Sequence, residues 1–227
     1  MVAESKQEKY LKLVNKRRND LMLRVDGFPE ESKFTQVETW HKDCFNSYVT
    51  PFTKSACNYD SPIMIVAQDW GSSDSMIKIS QSDKVLGYTP NLSTNKNLHI
   101  LLNKFFKLRF DQVYATNLFV FIKPGSISSR IPHKLLDYSA KKYTAKEIEL
   151  VTPKLVICLG AATYSRLVFA LTNASRKWSE SLDNPINYKG SYIVGVPHTG
   201  GLGTAKAGGF SAIEAIWKKV ADFYNSL

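Results

Sequence analysis

At 227 residues, with 44% hydrophobic and 12% aromatic content, the chain can fill the core of one α/β body plus an N-terminal extension but falls short of two comfortable domains. Its 30 Lys and Arg outnumber 20 Asp and Glu, and the resulting net charge of +10 favours polyanions, because lysine and arginine displace counterions from phosphates. Cys44, Cys57 and Cys158 cannot complete a set of bridges or a zinc ribbon, the charged start Met1–Lys6 is no signal peptide, and no apolar run is long enough to cross a membrane, so the reducing cytoplasm is expected.

Residues 1–50 read as a basic helical extension packed on the core, and 51–227 as the main domain. From Lys6 to Leu23, Tyr10, Leu11, Leu13, Val14 and Leu21 recur at near-helical spacing, and Lys16-Arg17-Arg18 reads as a solvated charged face rather than a DNA contact. Thr35 to Tyr48 reads as a second helix, with Trp40 and Phe45 available for burial.

Ile63-Met64-Ile65-Val66-Ala67 is a continuous apolar run of the kind a parallel strand needs when both its faces are buried, and polar Gln68-Asp69 follows it. A helix is predicted at Thr94–Lys107, a strand at Val113–Asn117 and a helix at His133–Leu150. A strand at Leu155–Leu159, a helix at Ala161–Leu171, a strand at Tyr192–Val196 and a helix at Gly208–Tyr224 complete the order. The alternation predicts a three-layer α/β/α fold around a mostly parallel four-stranded sheet. The serine-rich stretches at residues 72–82 and 125–129 read as surface loops.

In open sheets of this kind ligands bind beyond the carboxyl ends of the strands, where the strand order reverses. Gln68-Asp69, Asn117, Gly160 and His198 all fall at predicted strand ends. Four segments there together resemble the uracil-DNA glycosylase superfamily over residues 62–223. They are Ala67-Gln68-Asp69-Trp70-Gly71-Ser72, Thr116-Asn117-Leu118, Pro153-Lys154-Leu155-Val156-Ile157-Cys158-Leu159-Gly160, and His198-Thr199-Gly200-Gly201-Leu202-Gly203. The resemblance implies a monofunctional DNA glycosylase, expected as a monomer, that hydrolyses the N-glycosidic bond of a base flipped out of DNA with water as nucleophile and without metal or cofactor.

Chemistry gives each residue type a role in that reaction. A carboxylate near C1′ stabilises a sugar cation and aligns water, a role for Asp69, and a histidine donating to the departing base lowers the barrier, a role for His198. The amide of Asn117 offers one donor and one acceptor to the O4 and N3–H edge of uracil. Gln68, Trp70 and Gly71 would border the base, and Tyr88 would stack on it, with Trp70 as a rival platform. Leu202 would plug the gap left in the base stack, and Gly200, Gly201 and Lys206 would clamp phosphate.

The departures point elsewhere. Trp70-Gly71 stands where the common enzymes carry a proline and a tyrosine that blocks a 5-methyl group, so a C5-substituted or otherwise modified base, or a deaminated purine, becomes a candidate. Thr199-Gly200 in place of proline and serine suggests a more flexible loop. Two further readings stay open: a catalytically silent DNA-binding member of the same fold, and a small-molecule enzyme such as a nucleotide hydrolase.

Overall fold

A computed structural model of the chain describes residues 4–22, 34–40 and 54–227. The long apolar runs become strands β1 (Ile63–Asp69), β2 (Tyr114–Phe119) and β3 (Leu155–Leu159), which with β4 (Ile186–Tyr188) and β5 (Ser191–Val196) form one sheet in the order β2-β1-β3-β5-β4. Every pairing is parallel except β4 with β5. Among the described residues the sheet thus has five strands where four were predicted. Only three residues long, β4 is too short to show a pattern, and it folds back through the two-residue turn Lys189–Gly190, both at positive φ as such hairpins require.

Side chains alternate between the two sheet faces. On one face Ile63, Ile65, Ala115, Leu155, Ile157, Val194 and Val196 pack beneath α4 (Ser93–Leu101) and α9 (Phe210–Ser226), which supply Leu98, Leu101, Ile213, Trp217 and Val220. On the other face Met64, Val66, Tyr114, Val156 and Ile193 meet α1 (Lys6–Met22), α5 (His133–Ser139), α6 (Ala145–Val151) and α7 (Ala161–Thr172). A π-helical stretch, Ala140–Thr144, joins α5 to α6, and another, Leu102–Phe106, prolongs α4. No helix among the described residues is long and apolar enough to cross a membrane.

Tyr10, Val14 and Arg17 recur on one stripe of α1, and all three are buried. The predicted solvated face is therefore corrected at its centre. Arg17 lies inside and meets the Glu38 carboxylate at 3.2 Å, while Lys16 reaches Asp20 at 2.6 Å. A guanidinium tolerates such a place when its stem packs and its head finds a carboxylate. Behind it sits Glu147 of α6, fully buried, whose carboxyl burial pushes up to about 8; the nearby hydroxyls of Thr116 and Tyr114 and the charge of Arg17 pull it back only in part.

The predicted second helix is also corrected. Thr35 forms an isolated bridge with Ile122, and Val37–Thr39 makes a single 3₁₀ turn. The bridge gives Thr35 a backbone partner that a helix would deny it. Residues 41–48, with Cys44 and Phe45, lie outside the described residues. The predicted loop at 72–82 contains two short helices, α2 (Ser73–Met76) and the start of α3 (Gln81–Leu86).

Candidate active site

The chain leaves β1 toward the face covered by α4, and leaves the neighbouring β3 toward the face covered by α7. Connections departing to opposite sides open a crevice between the carboxyl ends of β1 and β3. Asp69 is the last residue of β1, and alternation places it on the face of Ile63, Ile65 and Ala67. Asn117 lies on that same face of β2. It pairs with Ala67, and β2 continues to Phe119, so the asparagine stands two residues inside the strand rather than at its end.

His198 follows β5 and continues the series of Val194 and Val196. The register Val66↔Cys158↔Gly195 sets it level with Asp69, two strands away. A strand spacing of about 4.8 Å then separates the two Cα atoms by about 10 Å, and the diagonal from Asp69 to Asn117 is about 8 Å. Between them Gly160 follows β3 at φ 98°, a conformation that favours glycine, and a Cβ there would touch the His198 side chain at 3.5 Å.

The two atoms that define Asn117 chemically are both unused. Its side chain is fully buried, and neither Oδ1 nor Nδ2 has a protein partner. An amide placed this way costs stability, because desolvation removes water's hydrogen bonds without replacing them.

The imidazole of His198 is half-buried, and its Nδ1 accepts the backbone N–H of Gly200 at 3.0 Å. Accepting at Nδ1 makes the neutral ring carry its proton on Nε2. Burial pushes the ring's pKa below the usual histidine value, against the pull of Asp69. Burial raises the Asp69 carboxyl, and Lys123 first and His198 second oppose that rise.

Lys123 was absent from the sequence-based site. It is almost wholly buried, its Nζ stands 2.7 Å from Oδ2 of Asp69, and it donates to the carbonyl of Ile127 at 2.8 Å. The signal was available. A lysine closes the apolar run Leu118-Phe119-Val120-Phe121-Ile122 just before Pro124-Gly125.

The histidine loop is pinned rather than flexible, which corrects the expectation drawn from Thr199-Gly200. Thr199 is fully buried, its hydroxyl donates to the Thr94 carbonyl at 2.9 Å, and its own carbonyl accepts from Asn97 Nδ2 at 2.7 Å. Gly203 folds back so closely that a Cβ would collide with the carbonyl oxygen of His198. The glycine-rich run does not stay an open loop, for residues Gly201–Lys206 form the short helix α8. Leu202 on it is 83% exposed, and Gly201 and Lys206 are exposed as well.

Other predicted site residues are placed apart. Gln68 falls by alternation on the face opposite Asp69. Trp70 packs with Val37, Met76 and Ile122. Tyr88 belongs to an aromatic cluster with His99 and Phe110, at ring-centre distances of 5.6 and 5.0 Å, and lines a different cleft together with Asn103 and Arg109. At Gly71 a side chain would run into Ser75 Oγ at 2.7 Å and Met76 Cε at 3.1 Å, with Ile127 Cδ1 at 3.7 Å. The missing side chain therefore leaves no open slot.

Among the described residues no group of three or more His, Cys, Asp and Glu is arranged to hold a metal ion. No family model matches the chain, and no curated protein matches it either.

Proposed function

We propose that the chain is a DNA glycosylase of uracil-DNA glycosylase type, with that superfamily's three-layer arrangement, hydrolysing the N-glycosidic bond of a flipped uracil or related pyrimidine. The observation that carries this reading is the orphaned amide of Asn117 on the sheet face that also bears Asp69, with His198 level with Asp69 across Gly160. A buried amide with a free donor and a free acceptor is complementary to a base edge with the opposite pair, and uracil and thymine both present O4 and N3–H. A 5-substituent entering beside Gly71 would meet Ser75 Oγ first and then the side chains of Met76 and Ile127, with no tyrosine ring in the way.

The chemistry follows from the same three groups. As the C1′–N bond stretches, positive charge grows on the sugar and negative charge on the base. Asp69 faces the first as a carboxylate and directs a water to C1′, and Nε2–H of His198 donates to the carbonyl oxygen that gathers the second. A neutral histidine suffices for that donation, and the Gly200 N–H on Nδ1 selects the tautomer required. The net charge of +10 suits a polyanionic substrate, and exposed Leu202 suits the role of a wedge in the emptied stack.

The test is incubation with duplex and single-stranded DNA carrying one uracil, mismatched thymine, 5-hydroxymethyluracil or hypoxanthine, scored by alkali-labile breaks. Excision of at least one pyrimidine, slowed by a large factor in Asp69→Asn with DNA affinity retained, is expected. A folded protein inert across the panel would overturn the enzymatic reading, and binding without cleavage would favour the silent module.

A further inference from the structure

We propose that Lys123 positions Asp69 for the reaction, holding Oδ2 from the loop that follows β2 so that Oδ1 is the oxygen left to face sugar and water. This rests on the glycosylase reading of the site. Of the two carboxylate oxygens Oδ2 is the buried one, and it is the one 2.7 Å from Lys123 Nζ. The Asp69 side chain retains 14% exposure, so what solvent and substrate can reach is the Oδ1 side.

The lysine is itself fixed by three connections. Its Nζ donates to the Ile127 carbonyl at 2.8 Å, its own carbonyl accepts the Ser73 N–H at 2.9 Å, and its backbone bridges to Ser72. Ser72 and Ser73 open α2, three and four residues after Asp69, while Gly125 N–H donates to Ser73 Oγ at 2.9 Å. The Asp69 carboxylate and the segment that follows its strand are thereby tied to one loop, residues 123–129. A buried ammonium costs several kcal/mol to desolvate, and a hydrophobic pair would serve packing as well, so packing alone gives no reason for a lysine here.

The role is electrostatic as well as geometric. Burial disfavours the charged carboxylate, and Lys123 is the first of the two groups that oppose it. With the lysine gone, Asp69 would hold its proton to higher pH and lose the contact that orients it. Misplacement on the scale of 1 Å costs about 10²-fold in rate.

The experiment compares wild type, Lys123→Met, Asp69→Asn and the double variant, each first shown to be folded by circular dichroism. Single-turnover excision is followed from pH 5 to 9, and the Asp69 carboxyl is titrated by ¹³C NMR, with Asp69→Asn assigning the resonance. Lys123→Met is expected to lose about 10²-fold at neutral pH, to recover part of it as pH rises, and to move the Asp69 titration upward. In the Asp69→Asn background the same change should have little further effect, because the two residues act as a unit. A pH-independent loss, an unmoved titration or additive effects would overturn the proposal. If wild type excises nothing, the glycosylase reading fails on that result alone, and the titration still decides whether Lys123 controls Asp69. Should Lys123→Met fail to fold, the double variant, which buries no unpaired charge, carries the folding comparison, and Lys123→Gln carries the titration.

Discussion

Truncating Asn117 to alanine separates function from stability more sharply than any other single change. A buried side chain ordinarily costs stability when cut back, yet this one carries an amide whose two polar atoms have no protein partner. Burying such a group without hydrogen bonds costs about 1–3 kcal/mol on the scale of protein substitutions. Against that, the small contacts of one lost carboxamide are worth at most about 1 kcal/mol. Asn117→Ala should therefore leave stability between unchanged and about 2 kcal/mol higher, and at this chain length each kcal/mol moves Tm by about 2–4 °C. The assay is calorimetric or circular-dichroism melting beside base excision, and excision should be lost while Tm holds or climbs. A destabilisation of about 2 kcal/mol or more would show that the amide has its partners inside the folded protein and would remove it as the base reader.

Gly203→Ala should unfold the histidine loop, because backbone rather than a movable side chain meets the new Cβ; a loss of about 1–3 kcal/mol is expected by chemical denaturation, whereas Gly201→Ala, with nothing within 4 Å of its Cβ, is the neutral control. Leu202→Ala should leave Tm within the error of surface substitutions, given that the side chain is 83% exposed, and should weaken duplex binding or slow excision as measured by single turnover. Burial pushes the Glu147 carboxyl up to about 8 from its ordinary value of about 4.5, so the folded state holds a proton that the unfolded state has released between those values. Its contribution is fully present below about 4.5 and is lost as pH rises toward about 8, at up to about 1.4 kcal/mol per pH unit. Glu147→Gln should flatten that part of the stability–pH curve in urea titrations, and an unchanged slope would refute the burial account.

The parallel α/β pattern was legible because strands buried on both faces must be apolar throughout, and Ile63–Ala67 and Leu155–Leu159 are. The faces on which Asp69, Asn117 and His198 lie could be derived from period-two alternation once the register was known, but the register itself depends on pairing between strands distant in sequence. What stayed hidden were residues whose local signal contradicts their surroundings. Arg17 read as part of a solvated charged face and Lys123 was not singled out, yet both are buried, since each finds a carboxylate supplied by a remote segment. Tyr88 read as a platform for a base, yet its ring packs on Phe110, a residue 22 positions away that no local pattern connects to it. Thr35 read as the start of a helix with Trp40 and Phe45 available for burial, and a bridge to Ile122 takes its place.

The most direct test of the account is a crystal structure with duplex DNA containing 2′-fluoro-deoxyuridine, which resists cleavage and keeps the base in place. The expected complex has the base turned out of the helix, its O4 and N3–H on the amide of Asn117, Nε2 of His198 at its O2, and the Asp69 carboxylate beneath C1′. Finding the base still stacked, or lodged in the aromatic cleft beside Tyr88 with Asn117 untouched, would contradict it.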